Sequence, residues 1–215
     1  VKRRIVLLGP PASGKGTQAE MIAEKYQIPS ASPGAMLREE KRRGTALGIE
    51  AERLTASGRL VPDDVICDVV RRWLEAHDGA FVFDGFPRSR GQADALEEML
   101  TARGTSLEVA LSLDADYETI ANRVQNRVVC GSCRTNLSIG LHVTAVESRC
   151  PKCGGPLTRR DDDNLETLQL RMREYAEKSA PLISYYEQRG LLRPVDSTRA
   201  PEVVFASIVS ILEGA

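Results

Sequence analysis

No apolar run in this 215-residue chain approaches the roughly 18 residues of a membrane-spanning helix. Neither sign of charge dominates, with 29 Lys and Arg against 30 Asp and Glu and a formal net charge of −1. No global field therefore draws the protein to nucleic acid or to an anionic membrane. Internal repeats and low-complexity tracts are absent, which excludes solenoids and disordered tails. An export signal is lacking too. The start "VKRRIVLLGPPASGKG" has a basic opening and an apolar run, but IVLLG is only five residues long and glycines follow. The expected compartment is a reducing cytosol, where clustered cysteines favour a metal over disulfides.

What is present is the composition of an ordinary globular domain, 42% hydrophobic and 27% charged, on a chain long enough to bury a core. Apolar, β-rich runs at 4–8, 80–83, 107–113 and 191–195 read as strands. Pro194 confines the last of these to a sheet edge. Helical periodicity covers 16–26, 63–77, 92–103, 117–126 and a long stretch from 164 to about 188. A closing helix spans 201–212, with Pro201 suited to its start. Strands alternating with helices imply a mostly parallel sheet covered on both faces. Two segments break this rhythm: 32–61 reads as short helices, and 127–162 holds cysteines and glycines with few helix formers. Both read as insertions.

Strand, then "GPPASGKGT", then helix is the context of a phosphate-binding loop. Gly9, Gly14 and Lys15 satisfy G-x-x-x-x-G-K, so successive backbone N–H groups at a helix N-terminus form an anion site that the Lys15 ammonium completes. The usual Ser or Thr after the lysine is displaced by one, since Gly16 precedes Thr17. Asp84 ends an apolar strand in "FVFDGFPR". Beside such a loop its carboxylate is placed to hold a magnesium ion through water; alone, it would read as a helix cap or turn residue.

Cys130, Cys133, Cys150 and Cys153 are spaced C-x2-C-x16-C-x2-C, the pattern of a four-thiolate zinc site. Four sulfurs fill a tetrahedral ion and leave no position for water, so the site is structural. Two disulfides are the alternative, disfavoured by the compartment. A nucleic-acid zinc ribbon is another, and the segment has few aromatics and no dominant basic run to support it. Cys67 reads as a small core residue.

"GPPASGKGT" together with "DGFPRSRGQ" resembles the adenylate kinase family and its nucleoside monophosphate kinase relatives, whose loops share the glycine-lysine-glycine-threonine ending. "MLR" at 36–38, "GRLV" at 58–61, "NRVQNR" at 122–127, "RRDDDNLETLQLR" at 159–171 and "APLISYY" at 180–186 continue the resemblance in order along the chain. It implies an α/β P-loop kinase: a five-stranded parallel sheet flanked by helices, a helical monophosphate-binding insertion and a zinc-binding lid. The core would comprise 1–31, 62–126 and 163–215, the monophosphate insertion 32–61 and the lid 127–162.

The implied reaction is reversible transfer of the ATP γ-phosphoryl group to AMP, giving two ADP, with magnesium. The catalytic set carried over is Lys15, Arg88, Arg123, Arg127, Arg160 and Arg171. Arg123 and Arg127 fall four apart on the expected helix and so on one face. ATP would be held by Ala12, Ser13, Gly14, Lys15, Gly16 and Thr17, with Arg123, Arg127, Asn136, Leu137 and Arg199. AMP would meet Ser32, Pro33, Arg38, Arg59, Leu60, Val61, Gly85, Phe86, Pro87, Arg88, Gln92, Arg160 and Arg171, with the Gln92 amide reading the adenine edge. The partners implied are ATP, AMP and ADP, with neither nucleic acid nor membrane, and the protein is expected to be a monomer. Pro33 and Ala35 stand where the family usually has threonine and aspartate, so a polar contact near the AMP base is lost and Ser32 partly replaces it. Ala12 replaces a usual loop glycine, which requires a negative φ. Leu137, where the family often has tyrosine, is expected to pack on the ribose or base without donating a hydrogen bond.

Overall fold

The computed structural model describes residues 1–56, 61–77, 79–133, 135–159 and 163–214. The chain begins with β1 (Arg4–Leu8) and α1 (Lys15–Tyr26), then β2 (Ser30–Ala31), α2 (Pro33–Arg42), α3 (Ala46–Ala56) and α4 (Asp63–Ala76). Next come β3 (Phe81–Asp84), α5 (Arg90–Ala102), β4 (Val109–Asp114) and α6 (Tyr117–Asn126). The cysteine-bearing segment carries β5 (Arg127–Cys130), β6 (Asn136–Ser138) and β7 (Leu157–Thr158). The chain closes with α7 (Leu165–Glu174), α8 (Pro181–Gln188), β8 (Leu192–Asp196) and α9 (Pro201–Glu213).

The main sheet has five parallel strands in the order β2-β3-β1-β4-β8. The first strand is central; the chain goes out to the edge strand β2, returns to place β3 beside β1, and then crosses to the other side for β4 and β8. That reversal opens a crevice beyond the carboxyl ends of β1, β3 and β4, where ligands of open α/β sheets bind. Successive strand side chains point to opposite faces, and both faces are covered. Val6, Leu8, Phe81 and Phe83 pack with Val70 and Leu74 of α4, Leu96 of α5 and Leu182 of α8. Ile5, Leu7, Val82 and Leu111 pack with Ile22 of α1 and Val204 and Ile208 of α9. Burial on both sides explains why these strands read as continuous apolar runs.

Three elements depart from the sequence expectations. β2 has only Ser30 and Ala31, paired with Val82 and Phe83; two small residues carry no periodicity, and their neighbour β3 alone makes them a strand. The stretch from 164 to 188 is not one helix. A π turn at Tyr175–Ser179 separates α7 from α8, because Pro181 has no N–H to donate and its ring crowds the carbonyl four residues back. The helix α6 ends at Asn126, and Arg127 adopts φ −72°, ψ 135° as the first residue of β5. Arg123 and Arg127 therefore do not share a helical face. As expected, Pro194 lies on an edge strand, since among the described residues β8 pairs with β4 alone.

The segment 127–158 has its own antiparallel sheet, β6-β5-β7, over a small core of Val128, Cys130, Leu137, Cys150 and Leu157. Among the described residues no helix is long and apolar enough to cross a membrane.

Candidate active site

The loop between β1 and α1 is built by close approach. Gly9 has φ +136°, and a Cβ there would stand 2.5 Å from the Leu113 carbonyl oxygen on β4. Gly14, at φ +100°, hands the chain into α1, whose first-turn N–H groups have no intrahelical acceptor and face the crevice end of the sheet. Ala12 takes φ +58°. The expectation of a negative φ there is corrected: the loop keeps the left-handed turn that glycine makes without strain, and the alanine methyl bears the steric cost while packing beside Ile120, Val124 and Leu168. A Cβ at Gly16 would stand 3.3 Å from an Asp84 carboxylate oxygen, so a side chain in the threonine's usual place would press on that carboxylate.

Lys15 is half-buried, and its Nζ donates to the carbonyls of Gly9 (2.9 Å) and Pro10 (2.7 Å). Burial lowers its pKa from 10.5 to about 8; Asp84 opposes the shift, and the guanidiniums of Arg88, Arg171 and Arg127 add to it. These groups come from the end of β3, the loop after it, the start of β5 and α7. The tertiary fold thus gathers one carboxylate and three guanidiniums, far apart in sequence, around the loop lysine. Arg123 reaches the same loop from α6, donating to the Ser13 carbonyl at 3.2 Å and to the Ser197 carbonyl at 2.5 Å. Burial pulls its pKa below the usual arginine value. Arg127 is held by a two-pronged ion pair with Asp163, with Nε–Oδ2 at 2.7 Å and Nη2 to Oδ1 as the second bond. The Asp163 side chain is only 1% exposed, so this pair is a buried and charge-assisted clamp on the arginine.

The loop after β3 forms a second cradle. Gly85 is at φ +71°, and the Arg88 side chain folds back so that Nε donates to the Gly85 carbonyl at 2.7 Å. Phe86 is fully buried and anchors the turn. The Arg88 N–H donates to Gln92 Oε1 (2.8 Å), and Gln92 Nε2 donates to Asp63 Oδ1 (2.7 Å). The Ser89 hydroxyl donates to the other Asp63 oxygen at 2.5 Å, while Ser179 from the π turn donates to the Arg88 carbonyl at 2.9 Å. Asp63 was missed in the sequence reading, because an acid in a helix's first turn reads as a partner of the helix dipole. Asp163 was missed as one of a run of aspartates.

Ser32 caps α2, its Oγ accepting from the Ala35 N–H at 3.3 Å, and Pro33 occupies the first helical position. Proline's missing N–H disturbs no helical bond there. Arg38 is exposed on α2, and Val61 is half-buried. Arg59, Leu60 and Arg160 lie outside the described residues. Asn136 is exposed on β6 and Arg199 is exposed with its Nε 3.4 Å from Asp196. Leu137 is 7% exposed, packed in the core of the cysteine-bearing segment. Thr17 is exposed on the first turn of α1, and Ser13 is buried.

The four cysteine sulfurs all lie within 4.8 Å of one another, with Cys130–Cys153 at 3.4 Å and Cys133–Cys150 at 3.7 Å. Neither histidine belongs to the group. The hydroxyl and N–H of Thr135 lower Cys133 to about 6, while, against the Gly155 N–H, hydrogen bonds with Cys133 and Cys130 push Cys153 up to about 12, so the sulfurs share protons among themselves. The knuckle needs Gly155, where a Cβ would stand 2.9 Å from Cys130 Sγ and closer still to Ser132. Among the described residues this donor set fits one tetrahedral cation. Lys152, in the same knuckle, acts electrostatically on Glu20 of α1, so the segment lies near the phosphate-loop helix.

The family model described as adenylate kinase matches residues 7–191. The adenylate kinase of Agathobacter rectalis is 42% identical over 211 residues, spanning 97% of this chain and 99% of the relative. That of Thermodesulfovibrio yellowstonii is 42% identical over 212 residues, 98% of this chain and 99% of the relative. The Archaeoglobus fulgidus adenylate kinase is 40% identical over 211 residues, with 97% of each chain covered. With this likeness running almost end to end, the chain belongs to the adenylate kinase family.

Proposed function

We propose that the protein transfers the γ-phosphoryl group of ATP to AMP, reversibly and giving two ADP, and so balances the adenine nucleotides. The gathering of Arg88, Arg127 and Arg171 with Asp84 around Lys15 carries this reading. Phosphoryl transfer needs positioning and charge stabilisation more than a side-chain base. An oxygen of the AMP phosphate attacks the γ-phosphorus, the bond from that phosphorus to its bridging oxygen breaks, and the electron pair leaves with ADP. The N–H groups at 12–17 bind the β and γ phosphates, and Lys15 leaves its two carbonyls to pair with them. Arg38 and Arg88 orient the acceptor phosphate. Arg123, Arg127 and Arg171, with Arg160 from the lid side, balance the charge that spreads over the transferring group. Asp84, at the end of β3 beside the loop, is the residue that would hold magnesium, which would add charge neutralisation on the ATP phosphates. Gln92 reads the adenine edge of AMP.

The parts follow the same reading. Residues 1–31, 62–126 and 163–215 form the core, 32–61 the monophosphate-binding insertion and 127–162 the lid. A zinc ion on Cys130, Cys133, Cys150 and Cys153 would staple a lid whose own core is too small to hold it. Lid closure excludes water, which would otherwise accept the phosphoryl group. The protein acts as a cytoplasmic monomer with ATP and AMP as its partners, and with neither nucleic acid nor membrane. The test is a diphosphate-formation assay with ATP and magnesium against AMP, GMP, CMP and UMP. Preference for AMP is the expected result; preference for another acceptor moves the protein to a sister kinase, and turnover of none overturns the reading.

A further inference from the structure

We propose that Asp63 is a specificity-determining positioning residue: its carboxylate locks the Gln92 amide in the one orientation that suits adenine and rejects guanine. The proposal rests on the reading that Gln92 meets the acceptor base. It begins from an inventory of that amide. A glutamine side chain offers two N–H donors and an oxygen with two lone pairs. Gln92 is 4% exposed, and half of this capacity is already committed. Its oxygen accepts the Arg88 backbone N–H at 2.8 Å, and one of its N–H groups donates to Asp63 Oδ1 at 2.7 Å. One N–H and one lone pair remain.

That remainder matches a definite base edge. Adenine presents an acceptor ring nitrogen beside an exocyclic N–H donor, so it takes one donor and gives one. Guanine presents the reverse on the equivalent atoms, a ring N–H and a carbonyl oxygen. Reading guanine in the same place requires the Gln92 amide to turn over. The fold forbids that from both sides. Turned over, the NH2 group would face the Arg88 N–H, donor against donor, and the amide oxygen would face the Asp63 carboxylate, acceptor against acceptor. The Arg88 N–H is backbone and cannot adapt. Asp63 cannot adapt either: both its oxygens are acceptors, and Oδ2 is held at 2.5 Å by the Ser89 hydroxyl. Gln92 is buried while Asp63 is exposed, so the cost of the turned-over amide falls on the buried glutamine, whose groups would face like groups. Asp63 sits in the first turn of α4, where a carboxylate also suits the helix dipole. That role requires no partner on α5, whereas the two bonds to Gln92 and Ser89 do.

The test compares wild type, Asp63→Asn and Asp63→Ala, measuring kcat/KM for AMP and for GMP at saturating ATP with magnesium, alongside thermal melts. Asparagine keeps the shape but can face Gln92 with either its oxygen or its NH2, so it removes the clash on the Asp63 side of the turned-over amide and leaves only the one with the Arg88 N–H. The expected result is that the AMP-to-GMP ratio of kcat/KM falls about tenfold in Asp63→Asn, mainly through KM. Asp63→Ala removes the same clash, leaving the amide held by the Arg88 N–H alone, and lowers the ratio as well, which keeps the test decisive where the asparagine variant folds poorly. A merely structural aspartate lowers both substrates in parallel, so a ratio within about twofold of wild type in a folded variant overturns the proposal. Wild type that shows no preference for AMP overturns the base-reading role of Gln92 and this proposal together. Wild type that prefers AMP, with variants that keep the ratio, sinks only the role of Asp63.

Discussion

ATP binding should take up a proton at alkaline pH, and Lys15 is the residue that takes it. Burial, opposed by Asp84 and reinforced by three guanidiniums, lowers its pKa to about 8 in the nucleotide-free protein. The γ-phosphate, with a second pKa near ~6, is already ionised in this range. A bound triphosphate favours the ammonium form and raises the lysine's value again. At pH 9 a group of pKa about 8 is about nine-tenths neutral, so binding should draw in about 0.9 proton per ATP. Affinity should then fall about tenfold for each pH unit above 8, reaching a loss of about 2.7 kcal/mol at pH 10. The sign is opposite in the free protein. Because the folded value lies below the ordinary 10.5, the unfolded chain binds more protons between about 8 and 10.5. This group's contribution to stability therefore rises with pH through that window, and below pH 8 its burial penalty is carried in full. Calorimetry at pH 9 in two buffers of different ionisation enthalpy measures the uptake. Lys15→Arg, whose guanidinium does not titrate there, should abolish it. Uptake below about 0.2 proton with affinity flat from pH 7 to 10 would refute the placement of Lys15 as the group that changes charge.

Arg88→Ala should lower kcat by about 100-fold or more while shifting the melting temperature little, since Arg88 is exposed and bonded mainly to its own turn; near-normal turnover removes its role. Zinc analysis of protein purified under reducing conditions should give about one ion per chain, and chelation should lower the melting temperature. Cys150→Ser should reproduce that loss without chelator, because Cys150 is buried in the lid core. Asp163→Asn should destabilise the protein by about 3 kcal/mol in denaturant titration and lower kcat as well, because it removes the buried charge that holds Arg127. Unchanged stability and turnover would mean that the pair contributes neither.

The parts of the site legible in the sequence are those whose chemistry is local. The phosphate loop needs a glycine pair, a lysine and a strand-to-helix context within nine residues, and all of these are contiguous. Each cysteine pair likewise makes its own knuckle, and the spacing between pairs says only that a loop joins them. Arg88 and Gln92 were legible through a motif that one turn contains. Arg127 lies on a strand and not on the expected helix, because an arginine at a helix C-terminus looks the same whether the chain continues or turns into a strand. The burial of Leu137 was not legible for a related reason: its partners Val128, Cys150 and Leu157 are distant in sequence, and their packing alone decides which way it faces. Ala12 was misjudged because loop geometry, set by the approach of Gly9 to β4, overrode the residue's own preference for negative φ.

Sequence by itself determined the strand–loop–helix unit that binds phosphate, the apolar runs that must be buried on both faces, and the two cysteine knuckles. These follow from short-range sterics, hydrogen-bonding capacity and hydrophobic periodicity, which neighbouring residues carry with them. Tertiary structure alone decided that Ser30 and Ala31 form an edge strand, and that Arg88, Arg127 and Arg171 act on one lysine. It alone brought the Asp63 carboxylate from α4 against an amide on α5. Those outcomes depend on which surfaces meet when the sheet closes over its two cores, and a meeting between distant residues leaves no periodicity or spacing along the chain.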